Sequence, residues 1–193
     1  MAKKAPSTLL NMFLSLTVIA VVAAAVLALV SGVTAEPIRL ADQKKTEAAL
    51  KAVLPQFSRS EGCDVNGTPC TRVYDANNQL VGVAVTSVSH KGFGGDLTVM
   101  FGFDPDGNIT GYQVLKTSET PGLGAKAGEW FQKDGKGSVI GMNPGEKNND
   151  IKVKKDGGDV DAISGSTITS RAFCDAIALA YDAYQEATKG GNE

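Results

Sequence analysis

The stretch DAISGSTITS, residues 161–170, crowds serine and threonine side chains around a glycine directly before a segment with helical periodicity. The apolar face of that segment is marked, at three- and four-residue spacing, by Phe173, Ile177, Ala180, Tyr184 and Ala187. Hydroxyl side chains ahead of such a run cap helix N-termini. The free N–H groups and the positive dipole end of a helix also bind anions. The sequence therefore predicts a helix whose first turn is either an ordinary cap or a phosphate site.

The same string resembles the flavinylation motif of the FMN-binding domain family, D-x-[ST]-G-A-T-x-[ST]-[ST]. The residues that match are Asp161, Ser164, Gly165, Thr167, Thr169 and Ser170. Ser166 departs from the family, which usually has alanine there, and adds a second hydroxyl beside the acceptor. The resemblance implies that Thr167 carries FMN through a phosphoester bond. It also implies that the residues around Thr167 shape the turn that holds the phosphate.

Two further motifs point to the same family. ETPGLG at residues 119–124 and GFGG at residues 92–95 resemble the E-T-P-G-L-G loop and the G-Y-G-G turn of RnfG, a component of Rnf-type electron transport complexes. Both motifs also resemble NqrC, the related component of the sodium-pumping NADH:quinone oxidoreductase. The three motifs occur in the family's order and together cover roughly residues 70 to 187.

The resemblance adds a second group of residues to the expected cofactor site. It implies that Thr120 and Leu123 lie against the flavin ring and that Glu119 orients the loop. Lys155 resembles a family lysine near the flavin, although Lys152 and Lys154 are its neighbours and all three are equally compatible with a solvated face. The complete set beyond the hydroxyl string is Glu119, Thr120, Gly122, Leu123, Gly124, Lys155 and Gly94.

The order of predicted elements indicates an α+β fold with a mostly antiparallel sheet and flanking helices. The predicted strands are Arg72–Tyr74, Leu80–Val88, Leu97–Phe103, Ile109–Leu115 and Ile151–Val153. An amphipathic helix is predicted from Ala41 to Leu54, a short helix from Gly128, and a polar loop from Ser58 to Thr71.

The N-terminal segment is predicted to cross a membrane. Residues 9–33 contain no charged side chain and are long enough for the roughly 30 Å hydrocarbon core. Lys3 and Lys4 precede them, so the positive-inside rule places the N-terminus in the cytoplasm. A cleaved signal peptide, with a cleavage site at residues 33–35, is the alternative, but signal h-regions run only about 7–15 residues. We therefore expect a retained single-pass anchor in the cell inner membrane, with the domain periplasmic or extracellular.

The predicted division of the chain is a cytoplasmic N-terminus at 1–8, a transmembrane helix at 9–33, a linker and amphipathic helix at 34–70, an FMN-binding domain at 71–188 and a frayed C-terminus at 189–193. The formal net charge of −2 and the lack of a basic stripe argue against a nucleic-acid partner. Cys63 and Cys70 flank a short polar loop and either form a disulfide or stay free thiols. Cys174 is expected to be buried and His90, the single histidine, to lie on the surface. One histidine supports neither a metal site nor a catalytic triad.

The residues and the resemblance together imply a membrane-anchored electron carrier with covalent FMN and no substrate site of its own. The resemblance implies an Rnf-type ferredoxin:NAD oxidoreductase complex, in which this protein relays electrons on the outer side of the membrane. Its expected partners are the other components of the complex, especially the flavin-bearing membrane component RnfD, and a flavin transferase that attaches FMN. An NqrC-type component of the sodium-pumping quinone reductase and a free-standing extracellular FMN carrier remain alternatives. The coupling ion and the direction of electron flow stay open.

Overall fold

The centre of the fold is a five-stranded antiparallel sheet in which each strand pairs with the next one along the chain. A computed structural model describes residues 8–54, 56–146 and 150–189. The strands are β1 Arg59–Val65, β2 Thr68–Tyr74, β3 Leu80–Ser89, β4 Leu97–Phe103 and β5 Ile109–Lys116. The α-helices are α1 Leu9–Val53, α2 Ala127–Trp130 and α3 Thr167–Lys189, and two 3₁₀ turns cover Gly124–Lys126 and Lys154–Asp156. The predicted α+β class with antiparallel pairing is confirmed.

Both faces of the sheet are covered. Val83 and Val85 of β3 belong to the core beneath α3, whereas Ala84 between them belongs to a second cluster with Val53 at the end of α1. The same alternation continues in β4, where only Met100 joins the second cluster. Because successive side chains of a strand point to opposite faces, a strand buried on both faces has a nearly continuous apolar sequence. This accounts for the run LTVMFGF in β4.

An aromatic cluster joins α3 to α2 and β5. The ring of Phe173 stacks on that of Phe131 with centroids 4.2 Å apart, and it meets Tyr112 edge-on at 4.8 Å. The Tyr112 hydroxyl donates to the carbonyl of Ala127 at 2.7 Å and accepts from the Phe131 N–H at 3.2 Å. Burial raises the pKa of Tyr112, so the hydroxyl stays protonated and keeps donating to the Ala127 carbonyl. The cluster fixes α3 on the sheet.

Most predicted elements are present, and two predictions are wrong. The predicted polar loop 58–71 contains β1 and the start of β2, which form a hairpin. Its polar sequence hides these strands because every side chain of β1 is exposed or only half-buried. The predicted strand Ile151–Val153 is reduced to one isolated parallel bridge from Val153 to Val160. The predicted apolar face of α3 is confirmed, since all five of its marker residues are buried.

The N-terminal helix α1 continues through Pro37 to Val53, so the predicted linker after residue 33 is helical as far as Val53. The segment after Pro37 is rich in Ala and Lys, which favour helix. By length and composition, α1 is apolar enough to cross a membrane. The chain divides into two units between Lys44 and Lys45. Residues 1–7 and 190–193, which hold most of the predicted cytoplasmic N-terminus and frayed C-terminus, lie outside the described residues.

The three cysteines have two different states. Cys63 and Cys70 lie directly opposite each other in the β1–β2 hairpin and form a disulfide. Cys174 is a free thiol, 6% exposed, and burial raises its pKa to about 12. A thiol with that pKa is protonated at neutral pH and is a poor nucleophile. Cys174 is therefore a packing residue of α3, as the sequence predicted.

Candidate functional site

The three sequence motifs meet at one cleft beside the N-terminus of α3. The cleft has a volume of about 410 Å³, which lies within the usual range for small-molecule sites. Its lining comes from the β3–β4 turn, the 119–124 loop, the 3₁₀ turn at 154–156 and the start of α3. The lining residues are Phe93, Glu119, Thr120, Leu123, Gly124, Lys155, Gly165, Ser166, Thr167, Ile168 and Thr169.

The first wall of the cleft is the turn that leads into α3. The Ser166 N–H donates to the Ile163 carbonyl at 2.9 Å, and Gly165 has φ of 77°. This is the third position of a turn that requires positive φ, which glycine adopts without steric cost. The carbonyl of Ser166 accepts the first helical bond from the Ser170 N–H at 3.0 Å. Ser166 is thus the N-cap, and Thr167 is the first helical residue, with its side chain on the cleft.

Ser170 supports this turn from the inside. Its hydroxyl is fully buried, donates to the Ser166 carbonyl at 2.9 Å and accepts from the Ile163 N–H at 2.9 Å. It spans the turn and does not line the cleft. The turn is therefore held by hydrogen bonds within the protein, and residues 165–169 on either side of the helix start line the cleft.

The second wall is a similar turn in the 119–124 loop. The Leu123 N–H donates to the Thr120 carbonyl at 3.2 Å, and Gly122 has φ of 78°. Pro before Gly at these two positions is the usual sequence of a type II turn. The turn lies against the first one, because a Cβ built on Gly165 would lie 3.6 Å from Leu123 Cδ2. Leu123 remains 47% exposed at the cleft.

Glu119 lies where the three motifs meet. It is 8% exposed, and its Oε1 has no hydrogen-bond partner among the described residues. A Cβ on Gly92 would lie 2.8 Å from that oxygen, and a Cβ on Gly124 would lie 2.5 Å from Oε2 and 2.7 Å from Thr169 Oγ1. Only glycine at both positions lets the three segments approach the carboxyl group. The Glu119 carboxyl group is therefore packed between two glycines, and a buried oxygen without a partner among the described residues is a feature found at functional sites.

A lysine completes the lining. Lys152 pairs with Asp150 at 3.1 Å and Lys154 with Asp161 at 2.8 Å, whereas Lys155 lines the cleft. Of these three lysines, Lys155 is therefore the one placed to face a ligand.

The next residue in the 3₁₀ turn, Asp156, ties the lysine to α3. Arg171 of α3 donates two hydrogen bonds to Asp156, each of 2.6 Å, and this contact holds the pKa of the carboxyl group below its usual value. The paired guanidinium correspondingly has a raised pKa. The ion pair positions the backbone of Lys155 relative to the first turn of α3.

Nine of the thirteen predicted site residues line the cleft and four do not. The four are Ser164, Ser170, Gly122 and Gly94, which build turns around it. A Cβ on Gly94 would lie 2.1 Å from the Ser118 carbonyl oxygen, so Gly94 lets the β3–β4 turn pack on the second wall. Phe93 and Ile168 also line the cleft but were not predicted, although both lie inside the quoted motifs. Both are large apolar side chains inside a Gly- or Ser-rich motif, and that pattern could have identified them from the sequence.

The lining suits a ligand with an anionic group at one end and a flat apolar body. Thr167 is the first residue of α3, and the free backbone N–H groups of a helix N-terminus favour an anion. Phe93, Leu123 and Ile168 supply exposed apolar surface, and Lys155 supplies a positive charge. A phosphorylated aromatic cofactor such as FMN has both features, so the residues present fit it.

Comparison with known proteins agrees with this description. Residues 92–182 match the FMN-binding domain family. The match begins at the β3–β4 turn and includes all three motifs.

Relatives over nearly the full length are more specific. The chain is 35% identical over 189 residues to the G subunit of the ion-translocating oxidoreductase complex of Methanosarcina acetivorans, covering 93% of this chain and 96% of the relative. It is 32% identical to the G subunit of the Na⁺-translocating ferredoxin:NAD⁺ oxidoreductase complex of Acetobacterium woodii, covering 91% of each chain. The protein belongs to the RnfG family, the G subunits of ion-translocating oxidoreductase complexes. Among solved structures, NqrC of Shewanella oneidensis matches with a TM-score of 0.45 and 22% identity, covering 64% of this chain and 61% of the other.

Proposed function

We propose that this protein is a membrane-anchored electron-transfer component of an Rnf-type ferredoxin:NAD oxidoreductase complex, with FMN held covalently on Thr167. The observation that carries the proposal is the position of Thr167, the first residue of α3, on the lining of a cleft made by all three motifs. Membership of the RnfG family and the match to the FMN-binding domain support it. The complexes in which such relatives are named translocate ions, and one of them is named for ferredoxin and NAD⁺.

The residues of the cleft have separate tasks. FMN, when bound, supplies one- and two-electron chemistry. The helix N-terminus and Ser166 hold the phosphate end beside the Thr167 hydroxyl. Thr120 and Leu123 pack against the ring and exclude water from it. Lys155 places a positive charge on the same cleft, which favours the reduced, anionic flavin and raises its reduction potential.

A covalent tether suits a carrier that works outside the cytoplasm, where no flavin pool refills an empty site. The Cys63–Cys70 disulfide supports that location, since disulfides persist mainly in oxidising compartments. We propose a single-pass inner-membrane protein with its N-terminus in the cytoplasm and the flavin domain on the outer side. Its partners are the other components of the complex, in particular the membrane component RnfD, and a flavin transferase that loads Thr167.

Intact mass of the protein purified from membranes tests this proposal directly. The expected mass is that of the full chain plus one FMN minus one water molecule, and the band in a denaturing gel is fluorescent. A colourless chain of unmodified mass, obtained from cells that contain the transferase, would overturn the covalent assignment. Protease added to intact spheroplasts tests the orientation, since the domain after α1 is expected to be digested, and full protection would contradict it.

A further inference from the structure

Phe93 is the most exposed large apolar side chain in the described residues from Lys45 onward, at 71%. Five such side chains are exposed there, namely Val88, Phe93, Leu123, Ile168 and Leu179. Phe93, Leu123 and Ile168 all line the flavin cleft, although they come from three separate segments. Single exposed apolar residues are ordinary, but a group of them around one cleft marks a binding surface. We name these three residues the apolar collar.

The base of the turn that carries Phe93 is fixed. His90 Nδ1 lies 2.7 Å from a carboxylate oxygen of Asp96 across the turn. Lys91 forms an ion pair with Asp175 of α3, and the Ser89 hydroxyl donates to the same carboxylate at 2.7 Å. These contacts attach the turn to the helix whose first turn holds Thr167.

The tip of the turn is fixed as well. Gly94 packs against the Ser118 carbonyl, and Gly92 packs against Gly95 and the Glu119 carboxylate, with no room for a Cβ at either position. Phe93 is thus flanked by two close-packed glycines. Its exposure follows from a fixed backbone and not from a loose loop tip.

We infer that Phe93 packs on the isoalloxazine ring and forms one wall of the apolar collar, with Leu123 and Ile168 on the other segments. This inference rests on the proposed function, since it requires the flavin on Thr167. The occupant is the ring and not a protein, because all three collar residues line the same cleft as Thr167, the proposed attachment site, and because the matched FMN-binding domain begins at this turn. An aromatic side chain against an aromatic ring gains attraction beyond the burial of apolar area. Phe93 is therefore a positioning residue for the cofactor.

The test compares flavinylated full-length protein carrying Phe93→Ala, Phe93→Leu or Phe93→Trp with the wild type. Leu179→Ala is the matched control, since Leu179 is 45% exposed in the same domain and does not line the cleft. Intact mass first establishes the flavinylated fraction of each protein. Time-resolved anisotropy of the flavin emission then reports local motion of the ring. Emission lifetime reports contact with an indole, which quenches flavin by electron transfer.

In Phe93→Ala, the fraction of molecules whose isoalloxazine ring rotates freely is expected to rise about two- to tenfold. This is the change expected from the loss of one aromatic contact. Phe93→Leu should give a smaller rise, Phe93→Trp should shorten the emission lifetime several-fold, and Leu179→Ala should match the wild type. Unchanged ring motion in Phe93→Ala, or an unquenched lifetime in Phe93→Trp, would overturn the inference. Altered binding of the other components of the complex with unchanged ring motion would assign Phe93 to a protein interface instead. If the wild type itself carries no flavin, it is the proposed function that fails.

Discussion

The first turn and the body of helix α3 differ in how far their side chains are buried. In the body of the helix, Phe173 and Ile177 are fully buried and close-packed on the sheet. In the first turn, Ile168 is 48% exposed and Thr167 faces an open cleft. The backbone of the first turn is nevertheless fixed by the buried Ser170 hydroxyl. A close-packed body thus supports a turn whose side chains are left uncovered for a ligand.

The comparison predicts that substitutions in the body and in the first turn of α3 have opposite consequences. Changes in the body should reduce stability and leave flavin attachment intact in the molecules that fold. Changes in the first turn and the loops around it should alter the flavin and leave stability nearly unchanged. Each experiment below tests one side of this separation.

The largest effect is expected for Thr167→Ala, which removes the hydroxyl proposed to carry FMN. All covalent flavin should be lost, while the free energy of unfolding should change by less than about 1 kcal/mol, because Thr167 is only half-buried. In-gel fluorescence and intact mass give the result. Thr188→Ala at the other end of α3 is the control, because it removes the same hydroxyl from a threonine that bonds only to helix carbonyls in the described structure. A fluorescent Thr167→Ala band would place the tether elsewhere, with Ser166 the first candidate.

Phe173→Ala should have the largest effect on stability. The ring contacts Phe131, Tyr112 and Phe101, and its removal from a fully buried position should cost about 3–5 kcal/mol. Urea denaturation of the flavinylated protein measures this, with Leu179→Ala as the exposed control on the same helix. The folded fraction should keep its covalent flavin. A stable Phe173→Ala protein that lacks flavin would show that the body and the first turn of α3 do not have separate roles.

Leu123→Asp should change the potential of the flavin without detaching it. A negative charge about 4 Å from the flavin ring, with an effective dielectric near 20, destabilises the reduced, anionic flavin by at most roughly 4 kcal/mol. The effect should be smaller, because Leu123 is half-exposed and an aspartate there can turn to water. Redox titration should show a lower FMN potential, and Leu123→Asn, nearly equal in size but uncharged, should shift it less. An unchanged potential in a folded protein would place this loop away from the ring.

The smallest effect is expected for Asp156→Asn, which breaks the ion pair with Arg171 behind Lys155. The pKa of Asp156 is lowered from 3.8 in the folded protein, chiefly by the hydrogen bonds from Arg171. The ion pair therefore contributes to the free energy of unfolding above pH 3.8. That contribution is lost as the pH falls through the lowered pKa of Asp156. Wild type and variant should differ slightly in stability at neutral pH and converge in acid. The control is Asp150→Asn, which removes the carboxylate that pairs with Lys152. A difference in stability between wild type and Asp156→Asn that persists in acid would exclude the ion pair as its cause.

The body of α3 could be predicted from the sequence because its signal is local. A helix facing a sheet needs an apolar stripe, and the spacing of Phe173, Ile177 and Ala180 shows one. Strand β4 was predicted with its observed bounds for a similar reason, since its sequence is almost entirely apolar. Strand β1 was missed because it lies at an edge of the sheet with its side chains in solvent, so its pairing depends on β2 and a disulfide.

The cleft was predictable only in part. The motifs contain most of the residues that line the cleft, because the turns around it require glycine and hydroxyl side chains. They could not show which of three adjacent lysines faces it, since this depends on the ion pairs that occupy Lys152 and Lys154. Nor could they show that Glu119 is buried between two glycines, or that Phe93 is held at the mouth of the cleft. The sequence alone determined most of the elements, the family and the expected attachment residue, because these follow from short-range patterns. Tertiary structure decided the burial, pairing and exposure of the remaining side chains, because those depend on segments brought together from distant parts of the chain.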